Sequence, residues 1–196
     1  MTTKDIYHSV RMQDQFFLRQ KVQRYIKTLF ENDLDVKYVY HNYKHTWETV
    51  QAAIEIGKGS GLSDYDLLIV EIAAWFHDVG YIESWYNHEI LSAQMAESYL
   101  SKSNWCTNNV QKIVDCILAT QVPQSPTNLL EQVLCDADLI NLGLEKHWEQ
   151  SNRLREEWAI TRNLVYTDKA WELYSIDFLK ELYISRDSRL RSTMVC

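Results

Sequence analysis

The sequence predicts an all-α fold, and three observations carry that prediction. Only 5 glycines and 2 prolines occur in 196 residues, and so few helix breakers favour long helices over many short strands. Apolar residues recur at helical spacing along most of the chain. Helix-start signals, a Ser or Asn followed three residues later by an acidic residue, stand at Ser63 and Asn128. The length suits one domain with a sizeable core, and we expect residues 1–196 to form it.

The first half of the chain predicts four helices. The third contains the run 67–76, which is apolar on nearly all sides and therefore predicts a central, buried helix. A loop is expected over residues 80–86, beginning at Gly80. The four predicted ranges are 6–30, 45–56, 64–78 and 88–100.

The second half predicts four more helices and one clear interruption. Two prolines bar a helix over residues 121–126. Gly143 ends the sixth predicted helix, and the polar tail from Arg186 is expected to fray. The predicted ranges are 110–120, 129–142, 148–164 and 168–182.

Composition and charge narrow the classes of function. Hydrophobic residues make up 46% and charged residues 24%, as in ordinary globular proteins. The net charge of -7 and the lack of a dense Lys/Arg stripe argue against duplex nucleic acid as a partner. No run approaches the roughly 18 apolar residues that span a membrane, and the first residues lack a signal-peptide core. Four cysteines without CxxC spacing fit a reducing compartment, so we expect a cytoplasmic protein.

The apolar run ends in an adjacent His77 and Asp78, which are side chains of the types that bind divalent metals. A carboxylate at the end of such a run is costly to bury unless it is paired or bound to a metal. Neighbouring side chains on a helix diverge by about 100°. Both can reach one ion only if the ion lies beyond the helix end or if the last turn loosens.

Two other segments offer candidate ligands. His41 and His45 are four residues apart, but the segment before His45 is aromatic and irregular. This favours His45 as a metal ligand, and His41 either as a residue that supports a ligand or as a contact to the substrate. Asp136 and Asp138 would diverge by about 200° on a helix, so only one should bind the ion, and spacing alone does not choose between them.

Further polar residues suggest substrate contacts. His88 and Glu89 open the fourth predicted helix, where the helix dipole also favours a glutamate. Lys44 and Arg153 could cradle a phosphate, although a solvated helix face explains them equally well.

Four ordered strings resemble the HD superfamily of metal-dependent phosphohydrolases. They match YHNxxHT at 40–46, FHDxGY at 76–81, HExxSA at 88–93 and DADLxxLG at 136–143. The superfamily signature is a His, an HD doublet and a distant Asp on a helical bundle. The resemblance covers roughly residues 35–180 and implies an all-α bundle of the HD-domain type.

The resemblance implies a ligand set and a division of roles. The implied metal ligands are His45, His77, Asp78 and Asp138. Asp78 and Glu89 are the implied catalytic residues near the attacking water. The expected substrate contacts are His41, Lys44, His88, Asp136 and Arg153.

The expected cofactor is one divalent transition metal (Mn, Fe, Co, Ni or Zn), with Mg also possible. The branch that cleaves cyclic dinucleotides adds two histidines for a second metal. His88 could be one of them, but no histidine stands near Thr120–Gln121, so we do not expect a second metal.

The expected activity is hydrolysis of a phosphate ester by metal-activated water, on a nucleotide or another small phosphorylated metabolite. One alternative is a metal-containing nucleotide-binding or regulatory module without turnover. Another is a metal-dependent lyase or oxygenase with an iron pair on the same scaffold. A homodimer is possible, and no membrane partner is expected.

Overall fold

The computed structural model describes residues 3–102, 105–143 and 147–193, with side chains described between residues 14 and 182 of those ranges. Within these ranges the chain contains eight α-helices, two short 3-10 helices and no strand, which confirms the all-α prediction. The α-helices are α1 (Thr3–Asp33), α2 (Tyr43–Gly59), α3 (Asp64–Phe76), α4 (His88–Leu100), α5 (Thr107–Ala119), α6 (Leu129–Asp138), α7 (His147–Thr161) and α8 (Asp168–Thr193).

Helix α3 forms the centre of the fold, because every residue from Leu67 to Phe76 is buried. It contacts α1, α2, α4, α5 and α6. Each large apolar side chain buried in this way contributes about 1.5–3 kcal/mol relative to exposure. The one acidic residue of the run, Glu71, accepts a hydrogen bond from Arg19 Nε of α1 at 2.7 Å.

Side-chain caps fix where three helices begin. The Asn42 side chain accepts hydrogen bonds from the backbone N–H groups of Lys44 and His45. Ser63 and Asn128 cap α3 and α6 in the same way, as their spacing predicts. Because Asn42 caps α2, that helix begins earlier than predicted, and His45 lies in its first turn.

Other boundaries also differ from the sequence prediction. A 3-10 helix (Val79–Ile82) lies in the predicted loop. Helix α6 stops at Asp138 and a second 3-10 helix (Ile140–Gly143) follows, since tight turns are common at helix ends. Helix α8 continues to Thr193, through the segment expected to fray, because no Gly or Pro interrupts it after residue 168.

Helices α7 and α8 pack together through polar and aromatic contacts. Trp171 Nε1 donates to Ser151 Oγ at 2.8 Å. Arg155 and Asp168 form an ion pair at 2.7 Å. Ring centroids 5.3 to 6.5 Å apart join an aromatic cluster of Trp158, Tyr166, Trp171 and Tyr174.

Three of the four cysteines lie among the side chains that the structure describes. Cys116 and Cys135 are buried and Cys106 is exposed, and none of the three forms a disulfide, whereas Cys196 lies outside the described residues. None of the helices in the described ranges is both long enough and apolar enough to cross a membrane.

Gly80 is required where the first 3-10 helix passes the start of α4. A Cβ atom there would overlap the backbone carbonyl oxygen of His88 and lie 2.9 Å from Leu91 Cβ. Because a backbone oxygen cannot move aside as a flexible side chain can, we expect Gly80→Ala to lower the free energy of unfolding by about 2 kcal/mol or more. Urea denaturation followed by circular dichroism measures this change.

The matched control is Gly59→Ala, because a Cβ atom at Gly59 would have no neighbour within 4 Å. That variant should be neutral or more stable by up to about 1 kcal/mol. Equal stabilities of the two variants would contradict the steric role of Gly80.

Candidate functional site

His77 and Asp78 lie side by side at the end of α3. His77 keeps helical backbone angles (φ -53°, ψ -36°), whereas Asp78 leaves the helix (φ -110°, ψ 3°). This loosened turn meets the condition under which two adjacent side chains can reach one ion. His77 Nε2 lies 3.2 Å from Asp78 Oδ2.

His45 and Asp138 complete a cluster with this pair. His45 Nε2 from α2 lies 3.3 Å from Asp78 Oδ2. Asp138 Oδ1, at the end of α6, lies 3.2 Å from His45 Nε2 and 3.4 Å from His77 Nε2. The ligand atoms of the four residues all lie within 4.8 Å of one another. The structure thus brings the four expected metal ligands together.

The donor atoms of this cluster fit a divalent metal ion. His77 Nε2 and Asp78 Oδ2 are buried and have no hydrogen-bond partner, although they lie 3.2 Å apart. A cation bound among the four residues would satisfy both atoms. His77 Nδ1 donates to the Ala74 carbonyl oxygen at 2.8 Å, which fixes the tautomer that leaves Nε2 free for a metal.

The two carboxylates place a strong negative potential on the imidazoles. Burial by itself lowers the pKa of His45, but Asp138 and Asp78 outweigh burial and raise that pKa to about 9. Burial by itself raises the pKa of Asp78, but His77 and His45 hold it well below its usual range. The field that favours a proton on His45 also favours a divalent cation among the four residues.

The cluster opens into a cavity of about 430 Å³, whose wall includes Asp78 and Asp138. A volume of this order is typical of sites for small molecules, which occupy roughly 300–1,000 Å³. Three of the other expected site residues, His41, His88 and Glu89, also line the cavity.

His88 and Glu89 lie beside Asp78 at the start of α4. His88 Nε2 is 3.5 Å from Asp78 Oδ1, and His88 Nδ1 is 3.4 Å from Glu89 Oε2. Burial lowers the pKa of His88 despite these two carboxylates, so at neutral pH its ring is uncharged. Thr120 and Gln121 line the same cavity and supply no imidazole there.

The structure does not bring Lys44, Asp136 and Arg153 to the cavity wall. Lys44 and Arg153 each form an ion pair with a glutamate four residues away on the same helix. Asp136 is half-buried on α6 and is not part of the cluster, as expected for a residue two positions from Asp138 on a helix.

Glu157 of α7, which sequence reasoning missed, orients His41. The Glu157 side chain is 1% exposed. Its Oε2 accepts hydrogen bonds from the backbone N–H groups of Tyr40 at 2.8 Å and His41 at 3.0 Å, and its Oε1 accepts one from His41 Nδ1. His41 Nε2 then faces the Tyr81 hydroxyl at 3.2 Å. The one available signal was helical spacing from Leu154, which places Glu157 on the inward side of α7.

Arg162 is the second residue that sequence reasoning missed. Its guanidinium carbon lies 4.8 Å from the ring centroid of Trp85 and 4.5 Å from that of Trp158. Its Nη2 is 3.5 Å from the Tyr81 hydroxyl. The four-residue spacing between Trp158 and Arg162 predicts that both lie on one side of α7, and this spacing was the available signal.

We expect Glu157→Gln to lower the free energy of unfolding by about 2 kcal/mol at pH 7, because a buried charged acceptor of three hydrogen bonds is lost. Burial raises the pKa of Glu157, but the charge and hydrogen bonds of His41 hold it below the usual value of 4.5. Ionised Glu157 therefore stabilises the fold at pH values above the usual pKa of 4.5. This stabilisation is lost as the pH falls through the lowered pKa of Glu157. The difference between the variant and the wild type should shrink below about pH 4.

Urea denaturation between pH 7 and pH 3 measures this difference. Glu156→Gln is the matched control, since Glu156 is the exposed neighbour on the same helix. A Glu157→Gln deficit that stays constant across this pH range would show that the charge of Glu157 is unimportant.

Comparison with known proteins identifies the family. The HD domain family matches residues 42–141, just over half of the chain, and this segment contains all four cluster residues. Among solved structures, the chain is similar to a predicted HD superfamily hydrolase from an uncultured Thermotogales bacterium. The two share 18% identity and a TM-score of 0.58 over 85% of this chain and 91% of that one, which shows a common fold. No curated protein sequence matches the chain. The chain therefore belongs to the HD domain family.

Proposed function

We propose that this protein is a metal-dependent phosphohydrolase that cleaves a phosphate ester of a nucleotide or another small phosphorylated metabolite. The observation that carries the proposal is the set of two imidazole and two carboxylate donors within 4.8 Å of one another. This set opens into a cavity large enough for a small molecule. Membership of the HD domain family supports the general activity.

The four cluster residues would hold one divalent transition metal ion, such as Mn, Fe, Co, Ni or Zn, and Mg is also possible. When bound, such an ion polarises a phosphoryl oxygen and lowers the pKa of water. The protein contributes the fixed orientation of its ligands. The hydrogen bond from His77 Nδ1 to Ala74 sets the ring that faces the ion.

Asp78 divides its two carboxylate oxygens between two tasks. Oδ2 faces the Nε2 atoms of His45 and His77, whereas Oδ1 lies 3.5 Å from His88 Nε2. We assign Oδ2 to metal binding and Oδ1 to accepting the proton that the attacking water gives up. Glu89, 7% exposed on the cavity wall, is a second acceptor for that proton.

His41 faces the substrate with one defined nitrogen. Because its Nδ1 donates to Glu157, its Nε2 is a hydrogen-bond acceptor, available to an O–H group of the substrate. The Tyr81 hydroxyl beside this nitrogen, at 3.2 Å, holds the ring in place. His41 and Tyr81 thus position the ester, and Glu157 positions His41.

The aromatic part of the wall supports a substrate that carries a flat ring, such as a nucleobase. Trp85, Trp158, Trp171 and Tyr174 line the cavity. Stacking of one base on an aromatic side chain is worth about 1–3 kcal/mol. The net charge of -7 supports a small nucleotide over a duplex nucleic acid.

We expect Asp138→Asn to remove one anionic donor, to lower the bound metal content and to reduce kcat/KM by about 10³-fold or more. Turnover is measured on nucleoside monophosphates and p-nitrophenyl phosphate with Mn, Co, Ni, Zn and Mg. Metal content is measured by mass spectrometry of the same samples.

The control is Asp115→Asn, which changes an exposed carboxylate of α5 that does not line the cavity. Full activity of Asp138→Asn would contradict the assignment of this ligand. A folded, metal-loaded wild type that turns over no phosphate ester would contradict the hydrolase. Nucleotide binding without turnover would favour the regulatory alternative.

A further inference from the structure

The cavity contains a cation that the proposed chemistry does not use. Among the described residues that line it, Arg162 is the one lysine or arginine. Arg162 directly follows α7, where the backbone N–H groups of Arg162 and Leu164 both donate to the Trp158 carbonyl, at 3.0 and 3.2 Å. Asn163 between them has a left-handed φ of 55°. These features form a helix C-terminal cap, which fixes the backbone of Arg162.

Two tryptophans hold the guanidinium group of Arg162. Trp85 and Trp158 lie within 5 Å of it, at 4.8 and 4.5 Å from its central carbon. Contacts of this kind use the face of the guanidinium plane and leave its N–H edge for a ligand. Nη2 is 3.5 Å from the Tyr81 hydroxyl, at the limit of a hydrogen bond, and Nε is buried without a partner.

Among the side chains that the structure describes, no carboxylate forms an ion pair with Arg162. Arg153 and Arg155, which lie on α7, form ion pairs with acidic side chains. Arg162 forms no such pair within the part of the chain that the structure describes. A second buried donor on the same wall, Trp158 Nε1, also has no partner. An unpaired charge and an unpaired N–H group on one wall call for an anionic acceptor.

Arg162 is separated from the metal-binding cluster by one hydroxyl and one imidazole. The Tyr81 hydroxyl is 3.5 Å from Arg162 Nη2 and 3.2 Å from His41 Nε2. The His41 ring centroid is in turn 5.8 Å from that of His45. These contacts connect Arg162 to the cluster through Tyr81 and His41, along one wall of the cavity.

We propose that Arg162 binds an anionic oxygen group of the substrate, with Trp158 Nε1 as a second donor. The proposal rests on the proposed function for the identity of that ligand as the substrate. The planar fork of a guanidinium matches phosphate and carboxylate alike. The group is either the phosphoryl group at the metal cluster or a second anionic group on the same molecule.

The test uses two non-hydrolysable probes with the Mn-loaded protein. Methylphosphonate carries one anionic group, and phosphonoacetate carries a carboxylate as well. Calorimetric titration should show that Arg162→Gln weakens binding by about ten-fold to a hundred-fold, as expected for hydrogen bonds to a charged group. Weaker binding of both probes assigns Arg162 to the phosphoryl group. Weaker binding of phosphonoacetate alone assigns it to the second anionic group.

Arg24→Gln is the matched control, since Arg24 is exposed on α1 and outside the cavity. Arg162→Lys keeps the positive charge but lacks the planar pair of N–H donors, so its affinity should lie between those of Arg162→Gln and the wild type. Near-ultraviolet circular dichroism verifies that each variant is folded. Unchanged affinity of folded Arg162→Gln for both probes overturns the proposal, as does a metal-loaded wild type that binds neither probe. Because binding requires no turnover, a failed hydrolysis assay leaves this result unaffected.

Discussion

The structure depends on balanced charge at the end of α3. Asp78 is 3% exposed, and an ionised carboxylate at such a position costs several kcal/mol unless opposite charge surrounds it. Asp138 adds a second negative charge, so the imidazole of His77 cannot balance the negative charge of the two carboxylates alone. Helix α2 supplies another imidazole in His45, and the four donors together accommodate a divalent cation. The packing of α2 and α6 against α3 therefore brings together the same side chains that form the site.

Local sequence was sufficient for the central helix and for three residues of the cluster, His45, His77 and Asp78. The run 67–76 is buried as its composition predicts, and the doublet after it leaves the helix where an adjacent pair must do so. Spacing alone did not decide whether Asp136 or Asp138 belongs to the cluster, because the choice depends on how α6 packs against α3. The resemblance favoured Asp138, and the structure places that residue in the cluster. The expected roles of these residues in catalysis remain predictions.

Glu157 and Arg162 were beyond sequence reasoning because their partners are far away along the chain. Glu157 contacts a residue 116 positions earlier, and Arg162 contacts one 81 positions earlier. By contrast, the cations that were expected near the phosphate pair locally on their own helices. Both missed residues also lie outside residues 42–141, the segment matched by the HD domain family. The matched segment contains the four cluster residues and Trp85, whereas the part of the chain that follows it supplies Trp158, Trp171, Tyr174 and Arg162 to the cavity wall.

The end of α7 contacts two neighbouring parts of the cavity wall, one at His41 and the other at Tyr81. Glu157 and Arg162 are separated by little more than one helical turn, so a single rigid segment contacts both His41 and Tyr81. Energetic coupling between two such contacts is reciprocal. Under the proposed function, an anion bound at Arg162 would therefore also restrict the motion of the His41 ring. Under the proposed function, binding energy from a part of the substrate far from the scissile bond would in this way lower the barrier to cleavage of that bond.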